Sequence, residues 1–535
     1  MNMRLAVLAL VVACNAAISA QQTMTIEVLA DRIMKSESAL IGRMRAFKPI
    51  IEVYAQHVEP HTRLGTVPFR DEYFLGQFAW SEAEGPTIKR LTPEKGTRQQ
   101  IAEWLSRPLA PQLKPNSFAA MTAPDWRSLD GKRYEFTFLR REFLGEVRCL
   151  VLDVAPRSDP RDGFTGRIWV EEREFNIVRF NGITRGLPGS TMETKKYWFN
   201  VDSWRVNVQP GLWLPSYVYA EQQSADPEVG RSVKSQVRLW GYDPKSARAP
   251  QEFTTITIDE PSVLDSTQQA QQLSPTLSQR RWEQQAEENV LERLAKAGLL
   301  APPGEVDKVL ETVVTNLQIT NNLTMEPVKA RVLLTSPLDS FTVGRTIVMS
   351  RGLIDVLPDE ASLATMLAHE LAHMTLGHRV IDPQFAFADK LMVPDDELLA
   401  TVAYRHWPKE EADADAKMVD LLRSSPYKDK LADAGLFLRA VSENSRKLRN
   451  LIEPHVGERT SKRLNELIQK SPTLVPEQVD QVAALPLGAR VVVEPWRGRV
   501  ELLRAANVPL ASAREKASLA VTPLVPYLRY VAPEP

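Results

Sequence analysis

His369, Glu370 and His373 form the pattern H-E-x-x-H inside HELAHMTLGH, residues 369–378. On an α-helix, residues four apart lie on one face, so the two imidazoles can offer nitrogens to a single cation. Glu370 follows the first histidine, where a carboxylate takes a proton from metal-held water instead of ligating the metal itself. Zinc suits such a site and lowers the pKa of its water to about 7. The chemistry implied is metal-assisted hydrolysis with one Zn2+ per chain. A core helix whose two histidines merely hydrogen-bond is the alternative, and a third ligand decides between them.

His378 is the nearest candidate for that ligand, but it falls on the opposite side of the helix from His369 at roughly 100° per residue. The metzincin pattern fails as well, because Leu376 and Arg379 stand where it needs glycine and histidine. His378 therefore reads as a C-terminal helix residue facing the negative end of the dipole. WPKEEADADAKMVDLL, residues 407–422, offers more. Pro408 can open a helix there, on which Glu411, Asp415, Met418 and Leu422 share one face and Asp413, Lys417 and Asp420 a solvated one. A buried pair of carboxylates is costly, and a cation relieves that cost. Glu411 is the expected third ligand. Asp415, one turn on, would accept from the free ring nitrogen of a ligand histidine. Taken alone, the segment also reads as an acidic surface helix.

The elements that must position these groups are legible around them. Leu363, Leu367, Leu371 and Met374 recur at helical spacing, with Asp359 as N-cap after Pro358. These residues together resemble zinc metallopeptidases of the HtpX-like and CaaX prenyl protease type, whose third ligand comes from E-x-x-A-D; Glu411–Asp415 reads E-A-D-A-D in register. The resemblance extends through DSFTVGRTIVMSRGLIDVLPDEASLATMLAHELAHMTLGH and covers about residues 280–470. Asp339 and Ser340 depart from the family's Asn and Ala, and the following turn is one residue short. The resemblance implies an edge strand at Thr346–Ser350 beside the site helix, where an extended peptide could add by main-chain hydrogen bonds; an ordinary structural strand is the equal alternative. It also implies a gate or oxyanion group at His455, in EPHVGERTSKRL, against the plainer reading of an exposed loop histidine.

A chain of 535 residues suggests more than one domain, and a net charge of -1 gives no reason to expect nucleic acid. Arg4, the apolar run LAVLALVVA and small residues up to Ala20 have the layout of a secretory signal peptide, residues 1–20. No later segment reaches about 18 consecutive apolar residues, so no transmembrane helix is expected in the mature chain. The protein should be exported, periplasmic or secreted, or else lipid-anchored through Cys14. This favours comparison with soluble periplasmic, BepA-like members of the family. Cys149 lies in VRCLVLDV, and a buried inert thiol is its expected role.

Residues 21–250 have a different texture. An amphipathic helix is expected at 25–46 and a short one at 98–106, followed by alternating, aromatic-rich runs from RYEFTFLRREF to SVKSQVRLWGY that predict an antiparallel sheet. GRIWVEEREFNIVRFNG, two strands joined by an acidic turn, resembles a hairpin of LolA-type lipoprotein carrier domains. The fold class expected is multidomain α+β. A LolA-like half-barrel sheet with flanking helices comes first, a linker occupies 251–275, a mostly helical zincin-type domain with a small sheet spans 276–470, and a strand-containing tail spans 471–535. The function expected is an exported zinc endopeptidase acting on polypeptides in envelope quality control. The alternative is a periplasmic chaperone or lipoprotein-handling module whose sheet binds hydrophobic outer-membrane or lipoprotein clients.

Overall fold

Thr25 accepts a hydrogen bond from the Val28 amide and caps helix α1 (Ile26–Met44), whose Leu29, Ile33, Leu40 and Met44 are buried along one face. The structure is a computed structural model that describes residues 25–61, 65–81, 85–91, 113–144, 146–159, 163–188, 196–224, 230–242, 287–288, 290–357, 359–378, 406–453, 455–456, 491–494 and 499–502. The signal segment with Cys14, the helix expected at 98–106 and the linker at 251–275 lie outside the described residues.

The face of α1 is covered by an open antiparallel sheet. Its strands are β1 (Ile50–His61), β2 (Gly65–Ser81), β3 (Gly85–Arg90), β4 (Tyr134–Leu144), β5 (Val147–Pro156), β6 (Phe164–Glu171), β7 (Ile177–Thr184), β8 (Tyr197–Gln209), β9 (Leu212–Ser224) and β10 (Ser232–Trp240). A short helix α2 (Pro115–Ala120) lies between β3 and β4 in the chain. The spatial order is β3-β2-β1-β10-β9-β8-β7-β6-β5-β4, so the meander is interrupted only where β1 meets β10. Helices α1 and α2 pack with Phe78, Phe164, Phe180, Val201 and Leu214 in one core. Each fully buried side chain of that size contributes roughly 1.5–3 kcal/mol. The acidic turn of the β6–β7 hairpin is held by Glu171, which accepts from the amides of Arg173, Glu174 and Asn176 at 2.8, 2.8 and 3.1 Å. Cys149 is buried in β5, and burial pushes its thiol up to about 11.

Strands β1, β2 and β3 were not expected from the sequence, and for β1 burial explains why. Ile50 to Ala55 are all buried, because one face of β1 meets the α1 core and the other meets a second core. A strand covered on both faces loses the in-out alternation that identifies strands in a sequence.

That second core belongs to the region after residue 290 and takes Ile50, Tyr54, Leu75 and Trp240 from the sheet. Following helical residues 290–296 come α3 (Glu305–Thr320), β11 (Lys329–Leu333), β12 (Ser340–Val343), β13 (Thr346–Ser350) and α4 (Arg351–Val356). Three further helices follow, α5 (Glu360–Leu376), α6 (Pro408–Arg423) and α7 (Leu431–Asn444), and then a hairpin β14 (Val491–Glu494) and β15 (Arg499–Leu502). Val500 of the hairpin is buried in the same core, close to α3. A large antiparallel sheet with helices, then a helical region with a small sheet, then a strand-containing tail is the architecture expected.

The edge strand requires a correction. The small sheet runs β11-β13-β12, so Thr346–Ser350 is the central strand and Ser340–Val343 is the edge nearer α5. The chain reverses at Gly344, and β12 folds back antiparallel on β13, which covers the side that the sequence reading left open.

Candidate metal centre

Two helices and two loops build the centre. Helix α5 starts where the Asp359 carboxylate accepts from the Ser362 amide at 2.7 Å, a cap that typically stabilises by about 1 kcal/mol. It ends at Gly377, whose φ of 71° lets its amide return to the His373 and Met374 carbonyls. Between these limits nearly every residue from Ala361 to His373 is buried, so the two histidines are fixed on a packed helix. Helix α6 begins with Pro408 at its first turn and buries Glu411, Ala414, Asp415, Met418, Leu421 and Leu422. Asp413 and Asp420 are exposed. The apolar residues of the buried face hold α6 against α5, and its two carboxylates arrive at the histidines as a result.

His369, His373 and Glu411 form one group whose ligand atoms lie within 4.8 Å of one another. His369 Nε2 is 3.2 Å from His373 Nε2 and 3.5 Å from a Glu411 oxygen. Two ligands at tetrahedral zinc distances are about 3.4 Å apart, so the spacings and the donor set fit zinc. The outer ring nitrogens are engaged elsewhere. His369 Nδ1 lies 2.9 Å from an Asp415 oxygen, and His373 Nδ1 lies 3.1 Å from His378 Nδ1. A proton on each outer nitrogen leaves a lone pair on each Nε2, aimed at the other.

That arrangement explains how protons distribute over the metal-free rings. Burial disfavours a charged His369, but hydrogen bonds with Asp415 and Glu411 outweigh it and push the ring up to about 10. His373 is pushed down to about 2, by burial first and then by the charge on His369. Glu411 is held well below the usual carboxylate range, because His369 overcomes the burial that acts against its charge. The three groups together hold one proton where a cation would sit.

Glu370 follows His369 on the same helix and is 2 % exposed. Burial raises its carboxyl above the ordinary value, against the opposing pull of His369 and a 2.8 Å hydrogen bond from the Ser340 hydroxyl. A buried carboxyl whose pKa is raised above the ordinary value is suited to accept and return a proton. Asp339 and Ser340, the two departures from the family pattern, both touch the centre. His455 Nε2 lies 3.1 Å from the Ser340 carbonyl and 3.1 Å from an Asp339 oxygen. The His455 side chain is 11% exposed, so it is half-buried and not an exposed loop histidine, and it stands outside the three-ligand group. Its ring is pushed up by Asp339 and the nearby carboxylates in spite of burial.

His406 was not singled out by the sequence. It is buried and stacks on His373 with ring centroids 3.8 Å apart and planes 16° from parallel, and burial pushes it down to about 4. A signal existed in composition: of seven histidines, only His57 and His61 lie away from the centre. His378 is likewise close, as the partner of His373 and not as a ligand.

No curated protein matches the chain. Among solved structures, an outer membrane lipoprotein-sorting protein domain from Vibrio parahaemolyticus is 10% identical, over 39% of this chain and 93% of its own, with a TM-score of 0.22. A LolA superfamily protein from Nitrosomonas europaea is 12% identical, over 39% of this chain and 90% of its own, with a TM-score of 0.21. Residues 302–392 match the model of Peptidase family M48, so the stretch that carries His369, Glu370 and His373 is that of a metallopeptidase.

Proposed function

We propose that the protein is an exported zinc endopeptidase that hydrolyses peptide bonds in polypeptides of the cell envelope, in protein quality control. The observation that carries this reading is the convergence of His369, His373 and Glu411 beside a buried Glu370. His369, His373 and Glu411 would hold one zinc ion, with Asp415 orienting His369. Zinc, when bound, supplies Lewis acidity to water and to the scissile carbonyl. Glu370 takes the proton from the attacking water and returns it to the leaving amine, with the Ser340 hydroxyl fixing its carboxylate. The peptidase domain is taken as residues 276–470 and the sheet domain as residues 21–250. No helix among the described residues is long and apolar enough to cross a membrane.

The chaperone or lipid-carrier reading gains less support, because α1 already fills the apolar inner face of the sheet through Ile33, Leu40 and Met44. A hydrophobic client would have to displace that helix. Comparing wild type with Glu370→Gln on casein tests the assignment. Equal zinc with cleavage reduced about 10²- to 10⁴-fold is expected for loss of a general base, whereas equal cleavage would sink it.

A further inference from the structure

Two buried carboxylates on the outward face of the sheet reach the loops of the metal centre. Glu52 on β1 and Asp71 on β2 are 1 % and 3 % exposed. Glu52 accepts from the Ser336 amide and hydroxyl, both at 2.6 Å, and from the Tyr73 hydroxyl at 2.9 Å. Asp71 accepts from the Asn450 amide at 3.1 Å, the Asn450 side-chain amide at 3.0 Å and the Leu451 amide at 2.9 Å. A buried carboxylate that satisfies its charge with backbone N–H groups fixes those groups firmly, because losing any one leaves charge uncompensated.

The two segments held in this way flank Glu370. Four residues after Ser336 stands Ser340, whose hydroxyl donates to Glu370 at 2.8 Å. Four residues after Leu451 stands His455, 3.1 Å from the Ser340 carbonyl. The segments are also joined to each other, since the Leu338 amide donates to the Leu451 carbonyl at 2.5 Å and the Glu453 amide to the Leu338 carbonyl at 3.4 Å. Gly352 closes the Ser336 turn from the opposite side, where a methyl group would lie 1.8 Å from the Ser336 carbonyl oxygen.

We propose that Glu52 and Asp71 are positioning residues of the peptidase site, through which the N-terminal sheet sets the placement of Glu370 and His455. The proposal rests on the peptidase reading above. The sheet is then part of the catalytic unit and not a tethered accessory. Glu52 acts through Ser336–Ser340, and Asp71 acts through Asn450–Leu451. Neither touches substrate or metal.

The test compares full-length, zinc-loaded Glu52→Gln and Asp71→Asn with Glu37→Gln, which breaks an ion pair in the sheet's inner core away from both loops. In the first two, kcat on casein should fall about tenfold or more while KM stays within about twofold, since a shift of about 1 Å can cost 10²-fold. Zinc content should be unchanged, and amide exchange at 336–340 and 450–453 should quicken. Glu37→Gln should lower stability and leave kcat and those exchange rates at wild-type values. If Glu52→Gln does not fold, Ser336→Ala removes one of its two contacts from the loop side and is read by the same measures. Wild-type kcat and exchange in both carboxylate variants would overturn the proposal alone, as would an equal kcat loss in Glu37→Gln. Zinc-loaded wild type that cleaves nothing would instead remove the peptidase reading on which it rests.

Discussion

Glu37 and Arg205 in the sheet, and His369, His373 and Glu411 at the metal centre, are all withdrawn from water, but only the first group closes on itself. Arg205 sends two N–H groups to the two oxygens of Glu37, each at 2.6 Å, so charge and direction are matched within the protein. At the metal centre two Nε2 atoms and a carboxylate oxygen converge, and each of these is an acceptor once the outer ring nitrogens hold their protons. Burial alone therefore does not mark a site. What marks it is convergence of lone pairs, which protein groups satisfy poorly and a cation satisfies well.

Removing a ligand should break this contrast most severely. In Glu411→Gln, stoichiometric zinc and peptidase activity should both fall to background, and the rise in melting temperature that zinc gives wild type should vanish. Melting with and without added zinc, read beside zinc content, checks this; a full zinc-dependent shift in the variant would exclude Glu411 as a ligand. Arg205→Ala should do the reverse. It strands Glu37 without its partner and should cost about 3–5 kcal/mol in urea unfolding while leaving zinc stoichiometry at wild-type values.

The contrast also accounts for what could be read in the sequence. Helix α5 was legible because its signals are local: Asp359 caps it, Leu363, Leu367 and Leu371 recur at helical spacing, and His369 and His373 are one turn apart. Glu411 was legible from the face it shares with Met418 and Leu422. Strand β8 was legible because burial alternates along it, and β1 was not, because Ile50 to Ala55 are buried on both faces. His406 and the clamp residues Glu52 and Asp71 escaped notice because no spacing rule links them to the centre. Their partners lie 33, 284 and 379 residues away, by the numbering of His373, Ser336 and Asn450. Ser340 stood out only as a departure from a pattern, and its hydroxyl turns out to face the candidate base.

A smaller effect is expected one contact further from the metal. Asp415→Asn and His378→Ala each disturb the outer nitrogen of one histidine and should weaken zinc about 10- to 100-fold, without changing the stoichiometry at saturation. Competition with a chromogenic chelator measures this. Asp413→Asn, on the exposed face of the same helix, should leave zinc affinity unchanged; equal weakening in Asp413→Asn and Asp415→Asn would mean that net charge, not orientation, sets affinity.

The subtlest distinction concerns the proton that the centre holds without metal. His369 is raised from 6.5 to about 10, so in chelator-treated protein at pH 7 its ring is charged. A ligand must be neutral, and zinc binding should therefore release about one proton per ion, all of it from His369. His373, lowered to about 2, and Glu411, held low, are already deprotonated and add nothing. Calorimetry in two buffers of different ionisation enthalpy should return that proton, and zinc affinity should climb with pH up to about 10. The stability of the metal-free chain runs the other way. A raised histidine contributes fully below its unfolded value of 6.5 and loses that contribution as the pH rises through about 10. Asp415→Asn removes the strongest opposing partner to burial and should reduce the proton released at pH 8. Zinc binding without proton release in wild type would mean that His369 is neutral beforehand, and the convergent acceptors would then be held apart by something other than a shared proton.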